Sequence, residues 1–357
     1  MKVFHCERCE QVLFFENSQC VICGTAQAFV PDVLQMVALP EDPGGPDLCH
    51  NYTEYQTCNW AIAEGDEHQY CVSCRLTQVI PDVTQPANHV GWYRLEIAKR
   101  RLVFTLMALG LPLLSREDDP ETGLAFEFKS DPEDPAAPRV LTGHADGVIT
   151  INVAEADDAE REKRRTNLNE PYRTLLGHMR HEIGHYYWDL LVRDSADIDE
   201  YRALFGDERP DYGQALAAYY QSGAPADWQN RFISAYASSH SWEDWAETWA
   251  HYLHMVDALE TAADNGLSLK PRRASEPVLP RLPATVLAGM VPFDRLIESW
   301  VSLTYVLNNL NRSMGLPDGY PFVLSTPAID KLRFIHEVVA KAASAAPVPA
   351  TTTAAHK

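Results

Sequence analysis

Five residues constrain this chain more than any others: His181-Glu182-Ile183-Gly184-His185, an H-E-x-x-H pattern inside a strongly helical stretch. Side chains four apart on a helix share one face, so His181 and His185 can grip one zinc ion together. Glu182 then stands beside the metal, placed to take a proton from a zinc-bound water. A hydrolytic zinc takes three protein ligands and keeps a fourth position open. The third cannot be the histidine of the longer H-E-x-x-H-x-x-G-x-x-H pattern. Trp188 and Leu191 stand where that pattern needs glycine and histidine. A glutamate on a second helix is the other common solution. About sixty residues further on, the run from Tyr236 to Ala250 carries Glu243 and, one helical turn later, Glu247. Glu243 fits as the third ligand, and Glu247 fits as an outer carboxylate that takes a hydrogen bond from a ligand imidazole. The two compete for the direct place.

The cysteines form a separate unit. All eight lie between positions 6 and 74. Cys6-x-x-Cys9 and Cys20-x-x-Cys23, with ten residues between the pairs, match a double knuckle that closes one tetrahedral structural zinc site. Cys49, Cys58, Cys71 and Cys74 make a second set in which only the last pair is compact. His50 or His68 could replace a cysteine there, and an exchange of partners between the sets stays open. A redox role for C-x-x-C would need a β-α-β pattern, which this region lacks. With no secretory signal in the sequence, reduced thiols and a cytoplasmic location are expected rather than disulfides. The expected cofactors are one catalytic and two structural zinc ions.

The pair His181-Glu182-x-x-His185 and Glu243-x-x-Ala246-Glu247 resembles the gluzincins, the zincin peptidases whose third ligand is glutamate. The run from Tyr236 to Glu247 is similar to the lethal-factor-type metallopeptidases. That likeness implies that Tyr236 sits over the zinc and hydrogen-bonds the oxyanion, with His240 as its rival for the role. A longer resemblance, over most of residues 3 to 340, is to the bacterial zinc-binding metallopeptidases that carry an N-terminal zinc ribbon. Ala98–Leu102, Leu141–Gly147, Tyr172–Gly177 and Trp242–Trp249 all read like that family. It implies an α+β fold: a zincin-like metallopeptidase core, mostly helical with a small sheet, preceded by a Cys-rich zinc-ribbon module. It leaves the substrate open.

The organisation follows. Residues 1–85 are expected to be the ribbon module, 86–270 the gluzincin-like core, 271–343 a C-terminal helical lobe and 344–357 a disordered tail. Pro81 to Asn88 reads as a linker, followed by a helix from Trp92 to about Gly110 with Lys99, Arg100 and Arg101 on its polar side. Leu124–Lys129 and Gly147–Val153 alternate like strands. Gly147–Val153 is taken as the edge strand that would bind substrate in extended form. Glu155 to Arg165 reads as a solvated helix or loop, and Pro171 suits the first turn of the motif helix. Asp197 to Trp228 reads as a polar, broken segment. The ligand helix should run from about Trp242 to Ala262, with its tryptophans buried. Further helices fall near Val286–Met314 and Pro327–Ala343. His144, His178, His251 and His254 read as hydrogen-bonded structural histidines.

A formal charge of −20, with few Lys or Arg among residues 1–90, argues against nucleic acid and anionic membranes as partners. A peptide or protein substrate is expected, with the oligomeric state open. The leading reading is zinc-dependent hydrolysis of a peptide bond with Glu182 as general base. The alternatives are a protein-interaction module with mainly structural zinc, and a hydrolase of a non-peptide amide.

Overall fold

The computed structural model describes residues 2–41, 44–134, 136–161, 174–282 and 291–345. It is an α+β protein in which a Cys-rich module leads into a helical body around a small sheet. The module opens with two antiparallel hairpins, β1 (Phe4–His5) with β2 (Val12–Leu13) and β3 (Gln27–Val30) with β4 (Gln35–Ala38). The short helix α1 (His50–Thr53) follows. The knuckle turns fold because Cys6 O accepts from Glu10 N at 2.8 Å and Cys20 O from Gly24 N at 2.9 Å. Both following residues need a left-handed backbone: Glu10 has φ 59° and Gly24 φ 72°.

The module has little apolar mass of its own, and it completes its core on the body. Phe4, Phe15 and Phe29 are buried against Phe104, and Trp60 is buried against Phe15 and Phe29. The Phe104 ring lies 5.4 Å from Phe15 and 5.8 Å from Phe29. Phe104 belongs to α2 (Pro86–Ala108), which Pro86 starts at its first turn. Residues 86–88, expected in a linker, are therefore helix.

The charge pattern of α2 misleads. Lys99 is fully buried and Arg100 is 2% exposed, because ribbon and sheet enclose the helix from both sides. Arg100 donates to Thr57 O at 2.5 Å. Lys99 pairs with Glu96 at 2.9 Å, beside the rings of Phe126 and Phe128. Arg101 alone reaches the surface, donating to Glu16 at 2.6 Å.

The sheet runs β5 (Thr77–Val79), β6 (Ala125–Lys129), β8 (Val148–Asn152), β7 (Gly143–Ala145), so the ribbon's last segment contributes its outer strand. β5, β6 and β8 are parallel, and β7 is antiparallel to β8 with His144 opposite Ile149. Asp146 and Gly147 close the β7–β8 hairpin with φ 48° and 78°, as a primed two-residue turn requires. The strand expected at the edge, Gly147–Val153, is thus internal. β7 takes the edge, since the Asp-Gly turn folds the chain back over its outer side.

Helices α3 (Leu175–Leu191), α4 (Ile198–Phe205), α5 (Tyr212–Ser222) and α6 (Ser241–Asp264) follow. The segment read as polar and broken therefore holds two helices, separated by Gly206 and Pro210 and ended by Gly223. Pro171 lies outside the described residues, and Thr174 caps α3 by accepting from Gly177 N at 2.9 Å. Glu155 is not solvated: it is 1% exposed and accepts from Thr142. Its other oxygen meets His178 Nδ1 at 2.6 Å.

The C-terminal helices are α7 (Phe293–Ser313) and α8 (Thr326–Ala345). The expected start of the first of these, at Val286, and residues 346–357 of the tail lie outside the described residues. Lys331 of α8 pairs with buried Asp244 of α6 at 2.6 Å, and Phe334 stacks edge-on to Trp245, so this lobe braces α6. No helix among the described residues is long and apolar enough to cross a membrane.

Candidate metal centre

Helices α3 and α6 meet where a side chain is missing. A Cβ on Gly184 would lie 3.0 Å from the Ala246 backbone and 3.2 Å from Trp249 Cβ. The Trp245 indole donates to Gly184 O at 2.8 Å. At the start of α6, His240 Nδ1 accepts from Trp242 N at 3.1 Å, and its Nε2 meets Pro210 O at 3.3 Å. His240 is thereby occupied as a helix cap and is not aimed at the site. Glu243 and Asp244 follow in the first turn, where the helix dipole favours carboxylates.

The close contact sets three side chains face to face. His181 Nε2 lies 3.0 Å from Glu243 Oε2, and His185 Nε2 lies 3.4 Å from Glu243 Oε1. One ligand atom from each of the three residues falls within 4.8 Å of the others, and all three residues are buried. Behind His181, Nδ1 meets Glu247 Oε1 at 2.7 Å, and Glu247 Oε2 accepts from Ser234 at 2.6 Å. Glu247 therefore orients the imidazole, while Glu243 faces both Nε2 atoms.

In neutral His181, with the proton held on Nδ1 by Glu247, the Nε2 lone pair points at a carboxylate oxygen; with no cation there, the raised pKa puts a proton between the two. Glu243 Oε2 is buried and faces His181 Nε2 at 3.0 Å. Two facing lone pairs in a buried place fit a cation between them. Burial alone would lower the His181 imidazole, but Glu243 and then Glu247 override it and hold its pKa well above the ordinary value. Burial would likewise raise Glu243, yet the His185 and His181 imidazoles bring it well below the carboxylate range.

Tyr236 lies with its ring 5.9 Å from His181 and is half-buried. Burial, then the Glu243 carboxylate, raise its pKa, so its hydroxyl stays protonated as a donor. The residue that sequence reasoning missed is Tyr212, at the start of α5. Its hydroxyl donates to Glu243 Oε1 at 2.5 Å. The available signal was Asp211, which accepts from Gln214 N at 2.7 Å and caps a run that is alanine- and tyrosine-rich.

His144 on β7 stacks 6.0 Å from the His185 ring and accepts from Gly147 N at 3.1 Å. Trp242 covers His185 with its ring 4.1 Å away, while Trp245 and Trp249 are fully buried. His251 meets Tyr320 at 2.7 Å and His254 meets Arg180, in line with their expected structural roles. A cavity of about 580 Å³ opens beside the centre, with His181, Glu182, Tyr236 and Glu247 in its wall.

The two cysteine sets gather separately. Cys6, Cys9, Cys20 and Cys23 form one group and Cys49, Cys58, Cys71 and Cys74 the other, without His50 or His68. All eight thiols are free of disulfides. Sulfurs approach to 3.6 Å for Cys6–Cys23 and Cys9–Cys20, and 3.8 Å for Cys58–Cys71. A tetrahedron with Zn–S bonds of about 2.3 Å has sulfur edges of about 3.8 Å. Both sets fit zinc.

Residues 88–338 match the family described as "Putative zinc-binding metallo-peptidase", and residues 3–85 match a zinc-ribbon domain. An uncharacterized protein of Mycobacterium bovis is 45% identical over 340 residues, 95% of either chain. Uncharacterized proteins from two strains of Mycobacterium tuberculosis match to the same extent. No solved structure matches significantly. The chain belongs to this zinc-binding metallopeptidase family.

Proposed function

We propose that this member of the family hydrolyses peptide bonds at a gluzincin-type centre, with zinc held by His181, His185 and Glu243. The observation that carries the reading is the convergence of both Nε2 atoms on the Glu243 carboxylate, beside a cavity that exposes Glu182. A zinc ion held by these residues would act as a Lewis acid and would lower the pKa of a water to about 7.

The chain's own residues supply the rest. Glu182 accepts the proton of the attacking water on its carboxylate and returns it to the leaving amine. Tyr236 donates a hydrogen bond to the oxyanion. Tyr212 holds Glu243 Oε1, and Glu247 with Ser234 fixes the His181 tautomer. The substrate lies extended along the edge strand β7, which directly follows Thr142 of the cavity wall. The two ribbon zinc sites are structural, since the module they hold buries Phe104 and Arg100 of the body. Its eight free thiols suit the reducing cytoplasm.

Glu182→Gln tests the reading. It should keep all zinc and lose peptide hydrolysis by about 10²- to 10⁴-fold. Undiminished turnover would remove Glu182 as the base.

A further inference from the structure

The cavity beside Glu182 is too large for one small side chain. At about 580 Å³ it lies within the range, roughly 300–1,000 Å³, of pockets that enclose a ligand of several groups. Its walls away from the metal helices are aromatic: Tyr219, Tyr220, Trp228 and Phe322. His251 and His254, one and two turns beyond Glu247 on α6, also line it. Burial pulls both imidazoles down, His251 to about 4, and the Arg180 guanidinium that meets His254 lowers that ring further.

The charged groups of the wall are equally informative. Among the described residues lining the cavity there is no Lys or Arg to pair with a peptide's terminal carboxylate. The lining carboxylates are Glu182 and Glu247, and Glu247 is already engaged by His181 and Ser234. Glu182 is assigned to proton transfer, which leaves no carboxylate to hold a terminal ammonium. Among the described residues of the wall, no Lys, Arg or unengaged carboxylate is left to pair with either chain end.

From this, and resting on the peptidase reading above, we propose that the enzyme cuts internal bonds and takes a large uncharged aromatic side chain of the substrate into this cavity. Tyr220, Trp228 and Phe322 set that specificity. The reaction consumes one water: its oxygen bonds the acyl carbon, the C–N bond breaks, and a proton goes to the leaving amine.

The test separates binding from turnover. Full-length, zinc-loaded Glu182→Gln protein is titrated calorimetrically with acetyl-Ala-Phe-Ala-amide, its Ala-Ala-Ala and Ala-Asp-Ala counterparts, and acetyl-Ala-Phe as the free acid. The phenylalanine amide should bind at least about 10-fold tighter than each of the others, a difference of about 1.4 kcal/mol. Trp228→Ala and Phe322→Ala, added singly, should shrink that preference. Equal affinities, tighter binding of the free acid, or no binding at all would overturn the proposal. Wild-type protein that shows the preference but cleaves none of the amides would overturn the peptidase reading alone. Cleavage without the preference would overturn the pocket assignment alone.

Discussion

Replacing Gly184 with alanine should weaken metal binding at the histidine centre even where its net effect on the fold is small. The new Cβ would stand 3.0 Å from Ala246 Cα and 3.2 to 3.3 Å from Cβ and Cδ1 of Trp249. The nearest of these is backbone, so no side-chain rotation relieves it, and α3 and α6 must separate by a few tenths of an ångström. Overpacking of this kind costs about 1–3 kcal/mol. Alanine regains about 1 kcal/mol over glycine in a helix interior. Net destabilisation is therefore about 0–2 kcal/mol.

The metal site receives no such compensation. His181 and His185 sit on one helix and Glu243 on the other, so the separation opens the ligand triangle directly. Affinity should fall about 10-fold, equivalent to about 1.4 kcal/mol. Competition with a chelator reads the centre's affinity, and urea unfolding of the zinc-loaded protein reads stability. Unchanged zinc affinity would refute the view that this glycine sets the spacing of the two helices.

Other outcomes follow from contacts described above. Glu243→Ala should lower the zinc content from about three ions to about two by elemental analysis, both ribbon ions staying bound; an unchanged count would move the third ligand elsewhere. Phe104→Ala removes the ring shared by ribbon and body and should cost about 3–5 kcal/mol in urea unfolding. A smaller loss, with the ribbon melting separately, would show the two cores to be independent. His251 is held low by burial, its pKa brought from 6.5 to about 4. Between these values the unfolded chain binds a proton that the folded one does not, so stability must fall as pH drops from about 6.5 to 4. The slope from this group is at most about 1.4 kcal/mol per pH unit. His251→Gln should flatten the curve by that one proton, and an identical slope would exclude His251 as its source.

The candidate metal residues were legible because their spacing is imposed by coordination geometry, which local sequence expresses directly. His181 and His185 at four apart, and each C-x-x-C pair, needed no knowledge of the fold. Glu243 and Glu247 were legible as a pair, but the choice between them rested on which faces both Nε2 atoms, and that depends on the approach of α3 and α6. Tyr212 was not legible, since its tie to Glu243 spans thirty-one positions and no local pattern encodes it. The internal place of β8 was misread for a similar reason: alternation reports that a strand has two faces, and says nothing of its neighbours. Lys99 and Arg100 were placed on a polar side because charge predicts solvent until another module covers it. Here the ribbon covers it.

The last cysteine of the second set, Cys74, is followed directly by β5, the outer strand of the sheet, on the side away from β7. Only three residues of that strand guard the flank of β6, which otherwise reads Ala125-Phe126-Glu127-Phe128-Lys129. A bare strand flank of this kind is a template on which further chains can add. Oxidation or chelation at the second cysteine set would release the anchor of β5 and uncover that flank. Damage at the ribbon would then be felt first as self-association of the protein, before any change at the histidine centre some distance along the chain.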